Sequence, residues 1–255
     1  MNLQMDREIA EHYNNESQKI RVITENWVSQ NLFCPYCGNQ YISQFENNRP
    51  VADFYCPHCI EEYELKSKNG SIANKVNDGA YAKMIERVES VHNPNFFFMH
   101  YKKADLKVKN FIMVPKHFFS KEIIEKRKPL AESARRAGWV GCNIIMNQIP
   151  EEGRIFIVKN EIQQSPESVI FKVKKTNFIS QYKLDARGWI LDILNCVNKI
   201  DSREFTLEQV YQFEEQLTAK HPENNHVKDK IRQQLQVLRD KGIIEFRGRG
   251  HYRKV

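Results

Sequence analysis

Two cysteine pairs frame the residues of this chain that could do chemistry. They read Cys34-Pro35-Tyr36-Cys37 and Cys56-Pro57-His58-Cys59, with eighteen residues between the pairs. Thiolates two residues apart can turn onto one ion, and a second pair at this separation closes a tetrahedral four-cysteine zinc site. Four protein ligands leave no position for water, so the implied Zn2+ is structural. The competing possibility is that the four cysteines pair as disulfides. Residues Met1–Gln18 are polar, without the apolar core of a secretory leader, and no apolar run is long enough to span a bilayer. That implies the cytoplasm, where thiols stay reduced and available to metal. Cys142 and Cys196 lie outside the pattern and read as small buried hydrophobes.

Asp53 lies three residues before Cys56, and Glu64-Leu65-Lys66 begins five residues after Cys59. On a strand successive side chains alternate, so Glu64 and Lys66 share a face while Leu65 points into a core. If Val51–Tyr55 pairs antiparallel with Tyr63–Lys66, Asp53 and Glu64 converge. Two carboxylates and a backbone carbonyl, here that of Leu65, suit Mg2+. An ammonium beside them can orient an attacking water and help deprotonate it. The arrangement D-x10-E-x-K is what hydrolysis of a phosphodiester needs. With 39 Lys and Arg and 32 Asp and Glu in the chain, an E-x-K triplet also arises by chance. Taken alone, these residues read more readily as exposed strand charges.

The elements that must position them follow from apolar periodicity. Residues 17–31 read as a helix with Ile20, Ile23, Trp27 and Val28 on one side, and residues 32–66 hold the zinc module with its two strands. Residues 75–91 read as a second helix carrying Tyr81, Met84, Ile85 and Val88. Asn95–Tyr101, Asn110–Val114 and Arg154–Val158 are apolar, aromatic runs of strand type. This order implies a mixed sheet flanked by helices. Residues 159–184 show no clear period, and a domain boundary falls there, dividing 1–182 from 183–255.

The second part is all-helical before a hairpin. Trp189, Ile190, Ile193, Leu194, Val197 and Ile200 keep helical spacing, Thr206 caps a second helix, and Asn224 or Asn225 caps a third. Gly242 ends that helix in the left-handed C′ position, and Ile243–Phe246 and His251–Arg253 form a hairpin around Arg247-Gly248-Arg249-Gly250. Three helices and a basic hairpin make a winged helix-turn-helix, read here as a self-contained core. The chain carries +7 overall, and residues 226–255 hold nine basic against three acidic groups, a net +6. Nearly all the excess sits on one small module, which points to a polyanion partner.

Beyond these patterns the chain closely resembles the DpnI-type methyl-directed restriction endonucleases. The segments that carry the resemblance are Glu46–Cys56, Glu64-Leu65-Lys66-Ser67-Lys68, Asn77-Asp78-Gly79-Ala80-Tyr81, Arg135-Arg136-Ala137-Gly138-Trp139 and Lys230–Lys241, spread over nearly the whole length. The resemblance implies a PD-(D/E)XK nuclease domain of mixed α/β class with an embedded zinc module, joined to a winged helix. It further implies Mg2+-dependent cleavage of double-stranded DNA at GATC containing N6-methyladenine. Asp53, Glu64 and Lys66 become the catalytic triad, and Cys34, Cys37, Cys56 and Cys59 the zinc ligands. Pro50 stands three residues before Asp53, where the superfamily has its proline directly adjacent; that proline is not a reacting group. Glu25, on the first helix, is a further candidate for supporting the metal.

An N6-methyl group is a small apolar bump in the major groove, so reading it calls for an apolar surface. Trp139 is the candidate, with Arg135 and Arg136 meeting phosphates or guanine edges. In the winged helix Asn224, Asn225, His226, Lys228 and Arg232 would face base edges, and Arg247, Arg249 and Arg253 the backbone. The expected partner is adenine-methylated double-stranded DNA, bound by a monomer with no protein partner and no membrane. The rival is a zinc-stapled winged-helix transcription regulator in which Asp53 and Glu64 do no chemistry.

Overall fold

Asn15 opens the first helix. Its side chain accepts from the Ser17 and Gln18 amides and caps α1 (Glu16–Asn31), whose buried face includes Ile23, Trp27 and Val28. The computed structural model describes residues 1–46, 52–70, 74–90 and 93–255. After α1 come β1 (Ser43–Gln44), β2 (Phe54–Tyr55), β3 (Glu62–Asn69), β4 (Lys75–Ala80), α2 (Tyr81–Glu89), β5 (Asn95–Lys102) and β6 (Lys107–Val114). Then follow β7 (Ile124–Lys126), β8 (Gly141–Ile145), β9 (Ile155–Lys159), β10 (Ile162–Gln163) and α3 (Pro166–Thr176). Among the described residues a seven-stranded sheet runs in the order β1-β2-β3-β5-β6-β9-β10, with β3 and β5 parallel and the other neighbours antiparallel. Strands β4, β8 and β7 form a second, antiparallel sheet.

The central strands are apolar throughout because both faces of the sheet are covered. Period-two alternation divides them between two cores. Phe97, Met99, Phe111 and Met113 pack with Trp27 and Val28 of α1, and Phe96, Phe98, Ile112 and Val114 pack with Met84, Phe118 and Phe119. Trp27 lies 5.5 Å from Phe111 and Phe96 4.4 Å from Phe119, ring centre to ring centre.

Two expectations change here. Residues 75–80 are strand and not helix: Val76 is buried between exposed Lys75 and Asn77, the alternation of a sheet, and the helix starts only at Tyr81. Residue 91, like Asn47–Val51 with Pro50 and the start of the expected first strand, lies outside the described residues. The apparently aperiodic stretch after 159 contains α3, which Ser165 caps through the Ser168 amide with Pro166 in the first turn.

The C-terminal module comprises α4 (Leu184–Lys199), β11 (Glu204–Thr206), α5 (Leu207–Tyr211), α6 (Glu214–Lys220), α7 (Val227–Asp240), β12 (Ile244–Gly248) and β13 (His251–Lys254). Thr206 and Gln209 form a reciprocal capping box, and the expected second helix divides into α5 and α6. Neither Asn224 nor Asn225 caps the third helix. His226 holds that place without a side-chain bond, and Asn224 accepts from the His226 amide at 2.8 Å instead. Gly242 has φ +67°, with Gly242 N–H on the Arg239 carbonyl and Ile243 N–H on that of Leu238, a complete Schellman end.

This module is not self-contained. One apolar core runs from Phe118, Ile123 and Ile149 through Trp189, Leu191 and Leu194 of α4 to Leu235 and Leu238 of α7. Polar bonds follow the same seam: Asn195 donates to the Gln148 carbonyl at 2.8 Å, Asn198 to Glu152 at 3.0 Å, and Arg187 to the Phe119 carbonyl at 3.3 Å. Among the described residues no helix is long and apolar enough to cross a membrane.

Candidate active site and metal centre

The two cysteine knuckles fold alike. Gly38 N–H bonds the Cys34 carbonyl and Ile60 N–H that of Cys56, each at 2.9 Å, and both residues are left-handed, at φ +80° and +64°. Glycine accepts that conformation freely, but Ile60 does not. Ile60→Gly is therefore expected to stabilise the domain, by up to about 1 kcal/mol after the entropy of glycine is offset, read as a rise in the urea midpoint.

The four sulfurs lie within 4.8 Å of one another. Cys34 Sγ is 3.5 Å from Cys59 Sγ, and Cys37 Sγ 3.6 Å from Cys56 Sγ. Zinc–sulfur bonds of about 2.3 Å in a tetrahedron put sulfurs about 3.8 Å apart, so the set fits structural Zn2+. Burial pushes the Cys34 thiol up to about 11. A divalent cation is what makes four adjacent thiolates tenable. The Tyr63 hydroxyl lies 3.1 Å from Cys34 Sγ, and its ring stacks on Phe97 at 4.5 Å. The metal cradle is thereby tied to the sheet core. Cys142 and Cys196 are buried elsewhere, as expected.

The zinc module delivers Asp53 to β3. Asp53 N–H bonds the Tyr63 carbonyl at 2.9 Å, and the Asp53 carboxylate accepts from Leu65 N–H at 2.7 Å. Two residues of strand β3 point to the same side: Glu64 Oε1 lies 2.6 Å from Lys66 Nζ, and Glu64 Oε2 2.6 Å from Arg87 of α2. Lys66 Nζ also meets the Asp78 carboxylate of β4. Burial raises Glu64 above its ordinary range, against the pull of Lys66 and Arg87. Burial lowers Lys66, but Glu64 and Asp78 outweigh it and hold the ammonium protonated well past neutrality. Leu65 packs against the core on the other side.

Glu25 is buried behind this edge, accepting from Arg21 at 2.6 Å and Gln44 at 2.8 Å. Burial raises its pKa, and the nearby Asp53 charge adds to the shift. Asp53 lies in a bend just before β2 and not in the strand expected over 51–55, but its bond to Leu65 sets it beside Glu64 and the Leu65 carbonyl, the hard oxygen donors Mg2+ takes when it keeps several waters. Among the described residues no trio of acidic groups closes to 4.8 Å. Sequence reasoning missed Asp78 and Arg87. The helix expected over 75–91 hides Asp78, although the family resemblance rests in part on Asn77–Tyr81.

The model of the DpnI family, described as Dam-replacing, matches residues 1–182, and that of its helix-turn-helix domain matches 185–254. The chain belongs to the DpnI family. Membership makes it a site-specific DNA nuclease with a helix-turn-helix domain, and the regulator without catalysis is not favoured.

On the DpnI-family frame the candidate DNA-contacting residues lie in separate places. Trp139 is half-buried at the end of a loop whose arms are joined by Leu130 N–H to the Trp139 carbonyl at 3.0 Å and Gly138 N–H to the Leu130 carbonyl at 3.1 Å. Arg136 is exposed and stacks over the Trp139 ring at 4.7 Å; Arg135 is exposed. Asn225, His226, Lys228 and Arg232 are exposed around the start of α7, with Asn224 half-buried. Arg232 is steadied by the Tyr211 hydroxyl at 2.7 Å and by Asp229, and Lys228 by Glu214 at 3.3 Å. In the wing Arg247 pairs with Glu245 at 2.7 Å, Arg249 is exposed at the turn, and Arg253 lies between Glu204 and Glu245 in the strand register.

Proposed function

We propose that the chain is a methyl-directed type II restriction endonuclease, a monomer that cleaves double-stranded DNA at GATC containing N6-methyladenine with the help of Mg2+. The nuclease domain spans 1–182 and the winged helix 183–255. The observation that carries this is the joining of Asp53 to Glu64 and Lys66 along β3, through the Leu65 amide, in a chain of the DpnI family.

Asp53, Glu64 and the Leu65 carbonyl would hold Mg2+, which when bound supplies a more acidic water and neutralises phosphate charge. Lys66 stays a cation between two carboxylates, so it serves as a hydrogen-bond donor that orients the attacking water and faces the charge developing on phosphate. Glu25, close enough to Asp53 for the two charges to be felt, would support the metal from the first helix. Structural zinc at the four cysteines would keep Asp53 against the strand that bears Glu64. The basic wing grips phosphate, which positions the duplex, while the start of α7 meets base edges.

Trp139 supplies the apolar surface for the methyl groups. Trp139→Ala should lower the ratio of cleavage rates on fully methylated and unmethylated GATC about fourfold for each methyl group it contacts, since a lost methyl contact is worth roughly 0.8 kcal/mol per buried group. An unchanged ratio in a normally folded variant would make Trp139 a packing residue. The test of the whole proposal is incubation of unmethylated, hemimethylated and fully methylated GATC duplexes with Mg2+. Cutting confined to methylated substrate is expected; no cutting of any of them would sink it.

A further inference from the structure

We propose that Asp78 is the positioning residue of Lys66, which frees Glu64 to serve the metal. The inference rests on the nuclease reading of Asp53, Glu64 and Lys66. A single carboxylate cannot both hold Mg2+ and anchor the neighbouring ammonium without weakening one of the two. Glu64 is already contacted on both oxygens, by Lys66 and by Arg87, each at 2.6 Å. Asp78 gives Lys66 a second anion that belongs to no other cation of the cluster.

The backbone is built for this contact. Asp78 pairs with Cys142 and Ala80 with Gly141, so Gly79 is an extra residue in β4, a bulge. Bulges re-aim side chains and recur beside active sites. Here the bulge turns Asp78 inward: its carboxylate also accepts from Gly79 N–H at 2.7 Å, and its side chain is only 5% exposed. Lys66 belongs to the large sheet and Asp78 to the small one, so the pair clamps two sheets at the point where the ammonium must be held still. The partner strand β8 begins at Gly141, which lies directly under the Trp139 ring. Buried ion pairs contribute little to stability compared with apolar packing, so a four-charge cluster of Glu64, Lys66, Asp78 and Arg87 calls for a use other than holding the fold.

The test is the full-length Asp78→Asn variant on fully methylated GATC duplex, measured as single-turnover cleavage at saturating enzyme with Mg2+ and as Kd without it. The single-turnover rate should fall roughly tenfold to a hundredfold, the cost of a misplaced catalytic group, with Kd unchanged. Asp78→Glu keeps the anion and should recover part of the rate. A wild-type rate in Asp78→Asn, a loss carried by Kd, or Asp78→Glu no better than Asp78→Asn would each overturn the proposal. So would failure of Asp78→Asn to fold, since an isosteric amide would then have exposed a structural role. Wild-type enzyme that leaves methylated DNA intact in the same assay would instead dispose of the nuclease reading itself.

Discussion

Asp53→Ala and Glu64→Ala are each expected to abolish Mg2+-dependent cleavage of methylated duplex, by a factor on the order of 10²–10³ or more, while specific binding stays close to wild type. Glu64 lies on β3 and Asp53 in the bend bonded to it, and neither belongs to the basic groups of the wing or of α7. Removing them takes away metal donors and leaves the base-reading surfaces untouched. Asp53→Asn and Glu64→Gln are useful companions. Asp53 accepts from the Leu65 amide and Glu64 balances both Lys66 and Arg87, so truncation to alanine also leaves buried donors without partners. Lys66→Ala should be similarly severe. Lys66→Arg should not rescue, because the space between Glu64 and Asp78 is shaped for a compact ammonium and not a planar guanidinium. Retained Mg2+-dependent cutting in Asp53→Ala or Glu64→Ala would remove the assignment.

Loss of zinc is expected to be as damaging by another route. Cys37→Ser, Cys59→Ser or chelation should unfold or loosen the nuclease domain. A structural zinc site contributes about 10–16 kcal/mol of apparent binding free energy, comparable with the about 5–15 kcal/mol that stabilises a whole domain. The four thiols join the end of α1 to β2 and β3, and Cys34 and Cys56 are completely buried beside Phe54 and Tyr63. Without the ion, buried sulfurs would be left without their common partner and Asp53 would lose its fixed place against Leu65. Metal content and thermal melting are the measurements. A fully active preparation carrying clearly less than one zinc per chain would contradict a structural role.

What the sequence showed best was local. The C-x-x-C spacing, the face of α1, the Thr206 cap and the Gly242 stop each depend on residues a few positions apart, and each stands as expected. The errors arose where distant partners decide. Residues 75–80 carry Asn77, Asp78 and Gly79, poor strand formers, and only pairing with β8 makes them a strand. Asp78 and Arg87 reach Lys66 and Glu64 from other elements, so no spacing could reveal them. Helix α3 had a readable start in Ser165-Pro166, but its apolar stripe is blurred by Phe171, which is 64% exposed. The resemblance of whole segments identified the Asp53, Glu64 and Lys66 candidates more firmly than any motif taken alone.

Helix α4 is buried over most of its circumference: Trp189, Ile190, Leu191, Ile193, Leu194 and Val197 are buried, and Asn195 and Asn198 reach across to Gln148 and Glu152. A helix buried over most of its circumference belongs to the interior it shares. The consequence concerns inheritance and exchange. A chimera joined at 182–183 would carry the donor's α4 into a foreign nuclease surface, with its outward face matched to the wrong partner. A junction in the exposed Asp201–Arg203 segment keeps α4 with the nuclease but parts it from α7, Lys220 and His221, which pack and pair with its Trp189 and Asp192. In this chain α4 is therefore common property of both blocks, and a chimera joined on either side of it must rematch one of its faces.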